Sequence, residues 1–320
     1  MIDLIKEIGN AKSIAIAGHV RPDGDCVSST LALRLYLQGA FPEADITVFM
    51  EPNPPSIFGY LEGYDKMNMT YEPKVAPDVF VSVDVSSIDR LGMAQWFFEN
   101  AKKTICVDHH ESNPGFADVN EIHSKACSTC EVLYKLFDHK YITSKVAECI
   151  FTGIVHDSGV FQYSNMSRES FEIVGGLVDY DFDGPKIISE TFYQKSYVQN
   201  QIMGRALLES ILFMDGKCIV SMVDRKMMDF YGVLPKHLEG IVNQLQNTRG
   251  VEVAIFMYEV GTQRYKVSMR SNGKVNVARI AVKFGGGGHD RAAGVEMNGT
   301  YYDVVNALSK CIESQLEGND

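Results

Sequence analysis

The chain opens on MIDLIKEIGNAK, in which apolar and charged residues alternate at helical spacing. Directly after it the period changes. The run Ser13–Gly18, SIAIAG, is short and continuously apolar; polar HVRPDGD follows, and VSSTLALRLYLQG returns to apolar positions three and four residues apart. This order predicts a buried strand, a loop and a helix. Ile46–Met50, Val79–Asp84 and Thr104–Val107 read as further buried strands, and Glu131–Asp138 and Ser144–Thr152 as helices. Strands alternating with helices predict an open, mostly parallel α/β sheet. After about Pro185 the pattern shifts. A polar helical stretch around Ser189–Leu208 precedes alternating runs at Lys217–Val223, Val251–Glu259 and Arg264–Arg270. The expected organisation is an α/β parallel-sheet domain over residues 1–188, a helical linker over 189–206, and a smaller mixed-sheet α/β domain over 207–320. No internal repeat or low-complexity tract interrupts it.

Length supports the division, because 320 residues exceed the size at which single cores stop growing. A hydrophobic share of 45% with 22% charged residues is that of a soluble globular enzyme. The N-terminal segment lacks the apolar stretch of a signal peptide or membrane anchor, which predicts a cytoplasmic protein with no membrane association. Seven cysteines, an odd number scattered over a long chain, predict free thiols rather than a disulfide framework. The formal net charge of −11 argues against a protein that coats long nucleic acid, since such binding neutralises many phosphates with Lys and Arg. An anionic substrate would need a local positive site, and bound metal ions are one way to supply it.

Four segments carry candidate chemistry. In His19-Val-Arg-Pro-Asp23-Gly-Asp25, just past the first predicted strand, Pro22 and Gly24 turn the backbone so that three donors can converge. The structural alternative is a polar turn with Asp25 capping the next helix. The second segment is Asp84, at the end of the buried run Val79–Asp84, and Asp89 and Arg90 beyond it read equally as a surface ion pair. Asp108-His109-His110 follows TICV; adjacent histidines on an extended chain point apart, so one can hold metal while the other faces substrate. In Thr152-Gly153-Ile-Val-His156-Asp157-Ser158-Gly159, two glycines bracket an acid and imply close backbone approach.

Together these segments offer His19, Asp23, Asp25, Asp84, His109 and Asp157, enough for two divalent ions sharing one carboxylate. Imidazole with carboxylate suits Mn²⁺, Zn²⁺ or Fe²⁺ better than Ca²⁺. Two such ions bring +4 against −4 from the four aspartates, so substrate phosphates need further donors. Phe284-Gly-Gly-Gly-Gly-His289-Asp-Arg291-Ala-Ala-Gly294 can supply backbone N–H groups and basic side chains, unless the glycines are only a flexible turn. Arg270 in VSMRS is a further candidate. Cys127-Ser-Thr-Cys130 has the spacing of a metal or redox pair but lacks a second pair, and Ser128 with Glu131 reads as a capping box.

HVRPDGD, the strand-end Asp84, VDHH and TGIVHDSGVF resemble the successive motifs of the DHH phosphoesterases, and GGGGHDRAAG with VSMRS resembles the DHH-associated C-terminal domain. The resemblance spans nearly the whole chain and is strongest to the RecJ-like branch of nanoRNases and pAp phosphatases. It implies hydrolysis of short oligoribonucleotides and of 3′-phosphoadenosine 5′-phosphate (pAp), with two Mn²⁺ per active site and Mg²⁺ or another divalent ion as the substitute. By matching motif, His19, Asp23 and Asp84 would hold one ion and Asp25, Asp84, His109 and Asp157 the other, with Asp84 bridging. Asp108 would orient a ligand and His110 would approach the scissile phosphate. Arg270, Ser271, Gly286, Gly287, Gly288, His289 and Arg291 would bind substrate across a cleft between the domains. Ser28-Ser29 stands where the family has Gly-Ser, and His156 and Ser158 stand where it has threonines. Cyclic or linear di-adenosine nucleotides are the alternative substrates, and a non-catalytic nucleotide sensor is the alternative function. A homodimer is compatible with the sequence, which contains no argument for it.

Overall fold

A computed structural model describes residues 1–163 and 165–318, so the last two residues of the range expected for the C-terminal domain lie outside it. The chain divides into two compact units, Met1–Gln194 and Lys195–Asp320. In the first unit the elements run α1 (Leu4–Ile8), β1 (Ser13–Ala17), α2 (Gly24–Ala40), β2 (Asp45–Phe49), β3 (Val79–Val83), α3 (Gln95–Asn100), β4 (Lys103–Asp108) and β5 (Val119–Ile122). The helices α4 (Thr129–Leu136), α5 (Ser144–Asp157), α6 (Arg168–Leu177) and α7 (Gly184–Ile188) follow. Among the described residues the five strands form one parallel sheet in the order β2-β1-β3-β4-β5.

All five residues of β3 are buried, as expected of a strand covered on both faces. One cover packs Ile14 and Ile16 against Val27 and Leu31 of α2 and against Val146 and Ile150 of α5. The other sets Ala15, Ala17 and Phe80 against Phe97 and Phe98 of α3. Because β1 is flanked by β2 on one side and β3 on the other, the chain reverses its direction of winding at the β1–β3 boundary. A crevice opens there beyond the carboxyl ends of the strands.

The second unit contains α8 (Tyr197–Leu208), β6 (Ile211–Phe213), β7 (Cys218–Val223), α9 (Arg225–Tyr231), α10 (Ile241–Gln246), β8 (Val253–Gly261) and β9 (Arg264–Ser271). It ends with α11 (Val277–Lys283), β10 (Gly287–His289), β11 (Ala292–Asn298) and α12 (Tyr301–Leu316). Its sheet, ordered β10-β11-β9-β8-β7-β6, is mixed: β7 and β8 run parallel and the other neighbours antiparallel. Alternation along the strands feeds two cores. Cys218, Val220, Val253 and Ile255 face α11 and α12, while Ile219, Ala254 and Phe256 face α8, α9 and α10. Within the stretch expected as a linker, Ile202 and Ala206 of α8 are fully buried in this second core. All seven cysteines are buried free thiols. Among the described residues no helix is long and apolar enough to cross a membrane.

Candidate active site

The crevice at the β1–β3 boundary collects the acidic and imidazole side chains. His19 lies two residues past β1, Asp84 is the first residue past β3, and Asp108 closes β4 with His109 and His110 immediately beyond. Asp84 takes a left-handed backbone conformation, φ 59°, which is uncommon for a residue other than glycine and turns the chain sharply as it leaves the strand. Its carboxylate is buried, with Oδ2 3.5 Å from His19 Nε2 and Oδ1 3.6 Å from His109 Nε2. His109 Nε2 is also 3.2 Å from Asp157 Oδ2, and His19 Nε2 is 3.8 Å from Asp23 Oδ2. Two ligands of one ion, with bonds of about 2.1 Å, stand roughly 3 to 3.5 Å apart, so the spacing leaves room for a cation between the groups.

Asp23, and not Asp25, caps α2: its Oδ1 accepts from Cys26 N at 3.1 Å. Asp25 sits inside the first turn, fully buried, and points at the start of α4. There Thr129 N donates to Oδ2 at 2.6 Å and Cys130 N to Oδ1 at 3.1 Å. The helix N-terminus thus partly compensates a carboxylate that has left water. Ser128 caps α4 through Glu131 N, 3.0 Å, but the Glu131 carboxylate reaches back to Cys127 N rather than closing a capping box on Ser128. The CSTC segment is therefore structural and serves the site through its two amides. Thr129 Oγ1 also donates to Asp84 Oδ1 at 3.1 Å, a contact that no sequence signal announced.

Glycine makes this convergence sterically possible. A Cβ at Gly153 in α5 would stand 2.6 Å from Asp25 Oδ1 and 2.3 Å from Cys130 Sγ, so the close approach expected of this residue is what lets α5 carry Asp157 to the crevice. A Cβ at Gly24 would meet the His156 ring at 2.5 Å. His156 is itself structural: Thr191 Oγ1 donates to Ile187 O, so His156 Nε2–H donates to Thr191 Oγ1 at 2.8 Å. Burial lowers its pKa to about 4 and keeps the ring neutral. Ser158 Oγ, also buried, donates to Ile154 O and accepts from Phe161 N, closing the end of α5.

Around the donors lies a ring of orienting contacts. The buried Asp108 places Oδ1 2.8 Å from His110 Nδ1 and accepts from Asn113 Nδ2 on Oδ2 at 2.7 Å. This bond to Asp108 raises the His110 pKa and engages Nδ1 of a half-exposed ring. Arg90 turns to His19 rather than to Asp89. Its guanidinium is 3.1 Å from His19 Nδ1, and its carbonyl accepts from Val20 N at 2.8 Å. For Nε2 to act as a ligand, His19 Nδ1 must carry the proton and donate to Val20 O, 2.9 Å away. Neither Arg90 nor Asn113 was identifiable from sequence, because each depends on a contact made across the fold.

The electrostatics favour a cation. Burial, reinforced by Asp84, raises Asp25 to about 7; burial, reinforced by Asp25 and Asp84, raises Asp157 to about 9. Burial would by itself lower the pKa of His19, but Asp23 and Asp84 outweigh it and hold the ring well above the ordinary imidazole range. Carboxylates crowded out of water and driven toward protonation fit a site completed by positive ions. Among the described residues three groups bring ligand atoms within 4.8 Å of one another: His19 with Cys26 and Asp84, Asp84 with His109 and His110, and Asp25 with His109 and Asp157. The thiol of Cys26 is an unexpected member. Burial pushes it up to about 11, which leaves it protonated at neutral pH.

In the second unit the residues expected to meet substrate phosphates differ in exposure. Arg270, near the end of β9, is half-buried and donates to Met269 O at 3.0 Å. Ser271 faces inward: its buried hydroxyl donates to Glu252 Oε1 and accepts from Gly273 N, so its side chain is engaged within the fold. The glycine run is no loose turn. Gly287 and Gly288 lie in β10, paired with Gly294 and Ala293 of β11. A Cβ at Gly286 or Gly288 would stand 2.3 or 2.4 Å from a carbonyl oxygen of β11. Close strand packing therefore explains these two glycines, while Gly287 faces open space beside exposed His289.

The fold and the site define a class of protein. The family model for the DHH family, N-terminal domain matches residues 13–154 and that for the DHHA1 domain matches 215–318, and the chain belongs to the DHH family of phosphoesterases. It is an enzyme that hydrolyses phosphate ester bonds. The chain is 26% identical to the bifunctional oligoribonuclease and PAP phosphatase NrnA of Bacillus subtilis, over 92% of each chain. To the protein of the same name from Thermus thermophilus it is 29% identical, over 95% of this chain and 89% of the relative. Its fold is that of an exopolyphosphatase-related protein from Bacteroides fragilis, with a TM-score of 0.89 over 99% of this chain and 96% of the other at 24% identity.

Proposed function

We propose that this phosphoesterase hydrolyses short oligoribonucleotides and pAp with two divalent ions, Mn²⁺ being the ion that the family resemblance implies and the donors accept. The observation that carries the reading is Asp84, a buried carboxylate with one oxygen toward His19 and the other toward His109. His19, Asp23 and Asp84 would hold one ion, and Asp25, Asp84, His109 and Asp157 the other. Bound there, such ions supply Lewis acidity and an activated water for in-line attack on phosphorus. The names of the two relatives support the substrate class.

The chain's own groups do the rest. Asp108 holds His110 by Nδ1, so that Nε2 is the atom available to a phosphate oxygen or leaving group. The amides of Thr129 and Cys130 fix Asp25 in one orientation before any ligand arrives. Arg270, His289, Arg291 and the amide face around Gly287 would meet substrate phosphates. The deciding measurement is kcat/KM with Mn²⁺ on pAp, RNA dimers to pentamers, pApA and cyclic di-AMP. Highest values are expected on pAp and the shortest RNAs; a clear preference for cyclic di-AMP defeats the assignment.

A further inference from the structure

The turn that opens α2 brings a third kind of donor to the crevice. Cys26 is fully buried, and its Sγ lies within 4.8 Å of a ring nitrogen of His19 and of a carboxylate oxygen of Asp84, both of them buried as well. Among the described residues no other cysteine joins such a group. The local fold holds the sulfur there. Asp23 Oδ1 accepts from Cys26 N at 3.1 Å while Asp23 Oδ2 is 3.8 Å from His19 Nε2, so one carboxylate fixes the backbone under the thiol and faces the imidazole beside it. Behind it, Sγ is 3.7 Å from His19 O, and a Cβ at Gly18 would stand 2.2 Å from Sγ. Gly18 is not in the left-handed region, so the room that the sulfur occupies, rather than backbone conformation, asks for glycine where the chain leaves β1.

A buried thiol among apolar neighbours is ordinary packing. This one is set beside an imidazole and a carboxylate, in a group close enough for a single ion. Sulfur is the soft donor of that set and favours Zn²⁺, Co²⁺ or Cd²⁺ over Mn²⁺ or Mg²⁺, whereas the groups built around His109 contain nitrogen and oxygen donors only. The two ends of the crevice are therefore chemically unequal.

We propose that Cys26 is a further ligand of the ion held by His19 and Asp84, which makes that position the thiophilic one of the two; the inference rests on the metal centre proposed above. On coordination the S–H proton passes to solvent and the sulfur binds as thiolate. The test reads the ligand and not turnover. Full-length protein, freed of metal by chelation and kept reduced, is titrated with Co²⁺ and followed by absorption. The parent should develop a thiolate-to-cobalt charge-transfer band in the near ultraviolet beside the visible d–d bands. Cys26→Ser and Cys26→Ala should lose the charge-transfer band and keep the d–d bands. In competition with a chelator, both variants should lose about 10- to 100-fold in Cd²⁺ affinity and far less in Mn²⁺ affinity. Cys26→Ala places nothing larger in the site, and circular dichroism and Tm of the metal-free variant check its fold. A parent with d–d bands but no charge transfer, or a charge-transfer band that survives in both variants, overturns the assignment. Equal losses for Cd²⁺ and Mn²⁺ mean that Cys26 acts by packing alone and overturn it too. A parent that binds neither Co²⁺ nor Mn²⁺ defeats the metal centre and this ligand together. If the Cys26-dependent band is present while the enzyme hydrolyses neither pAp nor short RNA, the proposed function fails and the thiolate ligand stands.

Discussion

At the scale of single residues, the site separates groups that would hold ions from groups that aim them. Asp84→Asn keeps the shape and the hydrogen bond from Thr129 but removes the charge that faces two imidazoles. Turnover should fall by at least about 10³-fold with the circular dichroism spectrum unchanged, a scale set by the loss of one preorganised electrostatic contact. Near-parental activity would mean that Asp84 does not join the two halves of the site. Asp108→Asn acts one step removed, through His110, and should cost about 10- to 100-fold in kcat with little change in KM. Its distinguishing readout is the His110 imidazole resonance by NMR, whose titration midpoint should move down once the carboxylate that raises it is gone. A purely structural Asp108 would leave that midpoint in place.

At the scale of elements, the crevice depends on how closely α5 approaches α2 and α4. Gly153→Ala forces Cβ into Cys130 and Asp25, which should lower stability by about 1 to 3 kcal/mol and show as a reduced Tm. Because the obstructed atom belongs to Asp25, the same variant should also weaken Mn²⁺ affinity measured by calorimetry; unchanged affinity would separate packing from the site. Helix and strand identities followed from hydrophobic period, and the predicted runs lie within a few residues of the observed elements. Which side chain caps α2 did not follow, because Asp23 and Asp25 are both good caps and only the fold shows that α4 claims Asp25. The packing of Ser271, Gly286 and Gly288 inside the second sheet did not follow either, for a related reason. A hydroxyl and a glycine carry the same letters whether they face a ligand or a neighbouring strand.

At the scale of the whole molecule, electrostatics link stability to pH and to metal. Asp157 and Asp25 are raised in the fold above the carboxylate value they regain on unfolding, so the folded state binds more protons than the unfolded state between about pH 4 and 9. In chelator, stability conferred by these protonated groups is fully present below the unfolded pKa and is lost as pH rises through about 7 and then about 9. Tm of the metal-free protein should therefore be higher at pH 5.5 than at pH 8.5, with the raised His19 and His110 adding to the difference and His156, neutral in the fold but protonated on unfolding at pH 5.5, subtracting from it. Divalent ions should reverse the difference, since they favour the ionised carboxylates, and Mn²⁺ at about 100 times its Kd would add about 2.7 kcal/mol at neutral pH. A Tm indifferent to Mn²⁺ would count against a metal centre.

The sequence by itself determined the α/β class, the change of pattern between the halves and the identity of the convergent segments. Each of these is written in local period or in runs of chemically demanding residues. The tertiary structure decided which atoms meet: that Asp84 faces His19 with one oxygen and His109 with the other, that Asn113 and Thr129 orient the donors while the Arg90 carbonyl ties down the loop carrying His19, and that Lys274, Arg279 and Arg291 surround one cavity. Such pairings join residues tens of positions apart, and no local period records them. They exist only once the parallel sheet has brought the ends of β1, β3 and β4 side by side, and once the second unit has folded its hairpin turn against the loop after β9.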